Sequence, residues 1–258
     1  MNDPPAIELT NVVKVFDGGV IRALDGATMT IGQREYVALT GPSGCGKSTL
    51  LHLIAALDAP TTGSVVVNGR DLRHVDGDRY RRSEVGLIFQ LHHLLPHLNA
   101  LQNVEVAMFS NGLSHVDQRG RAYKLLKAVG LENKARTNPP RLAGGERQRL
   151  AIARALANEP SIILADEPTG SLDTESAGRV LQLFDQLRRD RGVTILMVTH
   201  DANVASAADR VISMRDGRIV AAPESATELR SPGLRCSVPA PGKPGDGADP
   251  PVWPRPQR

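Results

Sequence analysis

GPSGCGKST, residues 41–49, decides how the rest of the chain is read. It fits the spacing G-x-x-x-x-G-K-[ST] through Gly41, Gly46, Lys47 and Ser48, with a further glycine at Gly44. EYVALT, a short apolar strand pattern, leads into it, and KSTLLHLIAALD, a helix pattern stopped by Pro60, leads out. Strand, glycine loop and helix in that order make a P-loop. The glycines let the backbone curl so that its N–H groups face phosphate oxygens. Gly41, Pro42, Ser43, Gly44, Cys45, Gly46, Lys47, Ser48 and Thr49 are therefore the expected nucleotide cradle. Lys47 is expected to reach the β- and γ-phosphates of ATP, and Ser48 to offer its hydroxyl to Mg²⁺. Cys45 needs no role, because its position points away from the phosphates in a loop of this shape.

Downstream, two nearly continuous apolar runs, SIILADEP (161–168) and VTILMVTHD (193–201), read as strands buried on both faces of a parallel sheet. TESAGRVLQLFDQLRRDRG lies between them as a helix, which completes a β-α-β unit. Asp166 ends the first strand at the carboxyl edge, where open α/β sheets bind ligands. It is expected beside the P-loop, holding Mg²⁺ through water. Glu167 follows and is placed to orient a water attacking the γ-phosphate. His200 ends the second strand at the same edge and reads as a donor to the γ-phosphate.

A second anion cradle appears in RLAGGERQR, residues 141–149. A Gly-Gly turn opens into ERQRLAIARALANEP, and a helix N-terminus carries partial positive charge and N–H groups without intrahelical partners. This helix belongs to a mostly helical region, about 98–158, that includes LSHVDQRGRAYKLLKAVGL. Ahead of the P-loop, IELTNVVKVF and ALDGATMTI read as strands. After it, SVVVNG ends in an Asn-Gly turn, VGLIFQ is a strand, and RVISMR and RIVAA form a closing hairpin around Asp216-Gly217.

Composition narrows the function classes. The 258 residues are 41% hydrophobic and 23% charged, which suits a globular chain with a sizeable core. The net charge is +3, and the segment from Ser231 carries four basic residues (Arg235, Lys243, Arg255, Arg258) against Asp246 and Asp249, so +2 of it sits there. The pI of 9.1 is partly a tail effect, aromatics make up only 3%, and no nucleic-acid partner is expected. Cys45 and Cys236 have no metal-ligand spacing and are expected as reduced thiols. The N-terminus lacks a signal-peptide pattern, and no apolar run approaches the roughly 18 residues of a membrane helix. Residues 231–258 are rich in Pro and Gly and are expected to be disordered.

Taken in order, GPSGCGKST, Gln90 in GLIFQ, LAGGERQR, ILADEPTGSLD and VTHD resemble the ATP-binding subunits of ABC transporters, over about residues 6–222. Within that family LDAPTTGSVVVNG, FQLHHLLPHLNALQNV and ADEPTGSLD look most like the lipoprotein-releasing and macrolide-exporter branch. That branch also contains a cell-division ATPase. The resemblance implies an α/β P-loop NTPase fold with a parallel-sheet core, an antiparallel β subdomain and a helical subdomain. It also explains the second cradle. Two subunits pair head to tail, and Leu142, Ala143, Gly144, Gly145 and Glu146 of one cap the γ-phosphate held by the P-loop of the other. Gln90 is implied to touch Mg²⁺ or the attacking water and to relay the state of the site to a membrane permease that docks near Gln90–Leu98. Ser171, Leu172 and Asp173 are implied to link the two active sites. Phe16 is either an adenine-stacking ring, where the family often has Tyr, or a strand core residue.

One departure stands out. The family signature begins Leu-Ser-Gly-Gly, and here Ala143 replaces the serine whose hydroxyl donates to the γ-phosphate. Losing such a donor to a charged acceptor costs roughly 1.5–3 kcal/mol. The implied activity is ATP hydrolysis driving a separate permease from the inner face of the cell membrane, for export of a lipoprotein, peptide or hydrophobic compound. A regulatory or mechanical module of the cell-division type is the alternative. Translation-type and repair-type family members carry a second ATP domain or a long insertion between the P-loop and the signature; residues 41–145 hold no such insertion, and neither of those types is expected.

Overall fold

The computed structural model describes residues 4–220. The disordered tail expected at 231–258, with Cys236, and the end of the RIVAA strand lie outside the described residues. In chain order, β1 (Ile7–Phe16) and β2 (Ile21–Ile31) precede β3 (Tyr36–Thr40), the P-loop and α1 (Lys47–Ile54). β4 (Thr62–Val67), β5 (Arg70–Asp71), α2 (Gly77–Ser83) and β6 (Val85–Ile88) follow. Then come α3 (Ala100–Glu105), α4 (His115–Ala128) and α5 (Gly144–Ala155). β7 (Ile162–Asp166), α6 (Thr174–Arg191), β8 (Thr194–Val198), α7 (Ala202–Ala205), β9 (Arg210–Arg215) and β10 (Arg218–Val220) complete the described chain.

The strands form two sheets. One has the order β2-β1-β4-β5 and is antiparallel throughout. The other has the order β10-β9-β3-β8-β7-β6; its strands run parallel except for β10, which closes an antiparallel hairpin with β9. Side chains alternate across a strand, so β3 sends Tyr36 and Ala38 into one core and Val37 and Leu39 into the other. The first core lies under α3, α4, α5 and α6, and the second lies between the two sheets and around α1. β3, β7 and β8 are buried on both faces, which is why SIILADEP and VTILMVTHD read as apolar without alternation.

Two helices are shorter than their sequence patterns. α1 ends at Ile54 rather than near Asp58. Ala56 turns left-handed at φ 51°, Leu57 N–H donates to His52 O at 3.0 Å, and Ala56 N–H donates to Leu53 O at 3.1 Å, so the helix closes itself before Pro60 is reached. Asp58 is then free of the helix and pairs with Lys14 at 2.6 Å. α5 likewise stops at Ala155 instead of continuing through Pro160.

Candidate functional site

The P-loop is braced from behind. Gly41 has φ 153° and Gly46 φ 102°, and a Cβ at these positions would come within 2.2 Å of Met214 O and 2.3 Å of Ala23 O. Gly217 N–H donates to Cys45 O at 3.0 Å, and Gly217 O accepts from Asp25 N–H at 2.9 Å. The β9–β10 turn and β2 thus hold the loop's shape, a support that no local motif announces. Pro42, Ser43, Gly44 and Ser48 face outward, Thr49 is half-buried, and Cys45 is buried in the core between the sheets with Sγ 3.8 Å from Lys47 Nζ. Lys47 is 8% exposed, and its Nζ donates to Gly41 O and Pro42 O, each at 2.8 Å. A buried ammonium must be hydrogen-bonded, and the loop's own carbonyls are the nearest acceptors.

Strand order lines up the remaining groups. β3, β8, β7 and β6 are parallel neighbours, so their carboxyl ends share one edge. Along it lie the P-loop after β3, His200 after β8, Asp166 at the end of β7 with Glu167 next to it, and the exposed Gln90 after β6. Asp166 does not follow the P-loop strand directly, because β8 lies between them; α1 packs across towards β7 and bridges that gap. Glu167 sits in the left-handed region at φ 48°, a conformation that costs a residue with a Cβ about 1–2 kcal/mol and clusters at functional sites. Its N–H donates to Val198 O at 3.0 Å, which turns the side chain back over β8. Glu167 Oε1 lies 2.7 Å from His200 Nδ1, with the carboxylate largely buried and the imidazole largely exposed.

The hydrogen bond to Glu167, with that carboxylate's charge behind it, raises the His200 pKa above 6.5. A raised folded-state pKa means that the contact contributes fully below about 6.5 and is lost as pH rises through the folded value. A proton NMR titration should therefore give a His200 midpoint above 6.5, and Glu167→Gln should bring it down. A midpoint at or below 6.5 in the unaltered protein would show that the pair is not formed in solution.

The second cradle lies on α5. Ala143 takes the N-cap conformation (φ −64°, ψ 162°) and is exposed. Its methyl accepts nothing, so only half of a capping box forms, with Ala143 N–H donating to Glu146 Oε2 at 2.9 Å. Leu142 is buried in the helical core, and a Cβ on Gly144 would reach van der Waals distance of Leu172 and Ser171. A Cβ on Gly145 would come within 2.7 Å of Ser176 Oγ. Only glycine lets the start of α5 approach the start of α6 this closely. Asp173 caps α6, accepting from Ser176 N–H at 2.9 Å and from Ser176 Oγ at 2.8 Å, so residues 171–173 and the signature are packed together.

Phe16 is 37% exposed, which removes the core-residue reading. Lys14 Nζ lies 4.9 Å from the centre of its ring and is held by Asp58 and Ala59 O. Lys14 and Asp58 escaped the sequence reading. The i, i+2 spacing of Lys14 and Phe16 on one strand face was a usable signal, whereas nothing local pointed to Asp58. Beyond Gln90, Leu91 is 76% exposed and Leu95 44%, alongside Phe109 at 76% and Val106 at 44%.

A glycine-cradled phosphate loop, with a carboxylate–imidazole pair and a second carboxylate along the same parallel-sheet edge, defines the class of P-loop nucleotide-binding ATPases. The ABC transporter family model matches residues 24–170. An uncharacterized ABC transporter ATP-binding protein of Bacillus subtilis, YvrO, is 46% identical over 83% of this chain and 95% of its own length. The macrolide export ATP-binding/permease protein MacB of Hyphomonas neptunium is 43% identical over 84% of this chain, which spans only 34% of that longer relative. Among solved structures, the dimeric ATP-binding cassette MJ0796 in a post-hydrolysis state with ADP and Pi superposes with a TM-score of 0.78, at 40% identity over 84% of this chain and 98% of that one. The chain belongs to the ABC transporter family, as an ATP-binding subunit with the ABC ATPase fold.

Proposed function

We propose that two copies of this chain, or this chain and a paired ATP-binding subunit, close head to tail around ATP and drive a separate membrane permease for export. The Glu167–His200 pair at the carboxyl edge, 2.7 Å apart, is the observation that carries the hydrolytic part of this reading. Glu167 orients and deprotonates the attacking water. His200, its cationic form favoured by Glu167, donates to the γ-phosphate. Lys47 leaves the loop carbonyls for the β- and γ-phosphates, and the loop N–H groups of residues 43–49 complete the cradle. The exposed Ser48 hydroxyl, the half-buried Asp166 carboxylate and the Gln90 amide are oxygen donors of the kind that suit Mg²⁺, which when bound neutralises phosphate charge. Phe16 stacks on adenine, with Lys14 fixing its ring. The dimeric assembly of the similar cassette supports the pairing. The start of α5 packed on Ser171–Asp173 offers one connected surface to the partner's nucleotide.

The macrolide-export name of a 43% identical relative supports export of a hydrophobic compound, peptide or lipoprotein. No helix among the described residues is long and apolar enough to cross a membrane. On this reading the subunit works peripherally on the inner face of the membrane, against a permease. The exposed Leu91, Leu95, Val106 and Phe109 make the dock. Placing a photo-cross-linking residue at position 95 in cells tests this reading. An adduct with a polytopic membrane subunit is expected, lost when Leu91 and Phe109 are both changed to Asp. Cross-links to soluble proteins alone would overturn the docking assignment.

A further inference from the structure

His92 and His93 sit consecutively in the left-handed region, at φ 61° and 45°. Neither is a glycine, and two such residues in a row persist only where the surroundings over-determine them. One guanidinium grips both residues. Arg154, in the last turn of α5, donates from Nη2 to His92 O at 2.7 Å and from Nη1 to His93 O. The His92 side chain is buried, and burial together with the Arg147 and Arg154 charges lowers its pKa. The His93 ring leans on Phe89, with centroids 4.7 Å apart. A second anchor holds the other end of the same segment. Asn103, fully buried on α3, accepts from Leu95 N–H at 2.8 Å and donates to the carbonyls of Leu95, Leu98 and Asn99 at 2.9 to 3.1 Å.

The segment after Gln90 is thus bolted at both ends to helices of the helical layer rather than to the sheet it leaves. α5 carries the signature at its first turn and Arg154 at its last. A rigid helix gripping the nucleotide of the partner at one end moves the segment at the other. We propose that Arg154 is a positioning residue that transmits displacement of the signature helix to residues 91–98, with Asn103 as the second anchor. This rests on the proposed head-to-tail pairing. It does not require that the permease dock on this segment, so its test uses the purified chain alone.

The experiment is hydrogen exchange by mass spectrometry on Glu167→Gln and on Glu167→Gln/Arg154→Met, each with and without Mg-ATP. In the single variant, ATP is expected to change exchange across residues 91–98. In the double variant, those amides should exchange about tenfold or more faster without nucleotide, as expected when a charge-assisted bond pair is removed. Their response to ATP should vanish while α6 keeps its protection and ATP still drives dimerisation. Arg154→Lys should not restore the response, since a single ammonium cannot hold two carbonyls in fork geometry. It also serves as the second variant if the methionine protein fails to fold. An unchanged ATP response in either folded variant overturns the proposal. So does faster exchange spread evenly over α3 to α5, which would assign Arg154 to general stability. If the single variant does not dimerise with ATP, the pairing reading fails instead, and the two failures are distinguishable.

Discussion

Glu167→Gln should reduce ATP hydrolysis by about 10²–10⁴-fold, the range that a positioned general base supplies, while leaving ATP binding intact. The substitution is isosteric. The Glu167 N–H bond to Val198 O and the left-handed turn belong to the backbone and survive it. What disappears is the negative charge that raises the His200 pKa and that, in the proposed mechanism, attracts the water proton. With hydrolysis blocked, nucleotide stays trapped between two copies. Size exclusion with Mg-ATP should show a dimer for the variant and a weaker, transient one for the unaltered chain. A variant that binds ATP yet remains monomeric at millimolar nucleotide would mean that Ala143 has broken the second cradle. The functional pair would then require a different subunit with an intact signature.

Ala143→Ser should strengthen the same dimer. The N-cap backbone already has the geometry that a serine uses, with φ −64° and ψ 162°, and the site is exposed. A hydroxyl there adds a hydrogen bond to a charged acceptor, worth about 1.5–3 kcal/mol, or roughly tenfold to a hundredfold in affinity for each contact. A symmetric dimer contains two of them. Within the monomer the serine also completes the capping box with Glu146, adding about 1 kcal/mol and raising Tm by about 2–4 °C. Sedimentation with Mg-ATP in the Glu167→Gln background measures the first effect, and thermal melting without nucleotide measures the second. A rise in Tm with no gain in dimerisation would show that residue 143 faces no phosphate, which would sink the head-to-tail reading of the signature.

The features legible in the sequence share a property: each depends on neighbours along the chain. The P-loop is a local backbone curl, so Gly41, Gly46, Lys47 and Ser48 announce it by spacing alone. Burial on both faces left its mark in the unbroken apolar runs before Asp166 and His200, and the Gly-Gly turn marked the start of α5. Helix ends were less legible. Ala56 closes α1 in a conformation that alanine rarely adopts, because the reward is distant: Asp58 is released to meet Lys14, 44 residues back.

Tertiary structure alone decided which apolar strand lies beside which. Parallel strands joined by crossovers can pair in several orders with the same local pattern, and only packing of the whole sheet set β8 between β3 and β7. That order brings His200 Nδ1 to Glu167 Oε1 across 33 residues of sequence. Long-range contacts likewise decided that Gly145 must be glycine, because Ser176 lies against it, and that Arg154 grips the backbone at His92 and His93. Chemistry carried by a short stretch is written in its residue order. Chemistry assembled from separate strands exists only once hydrophobic burial has chosen their arrangement.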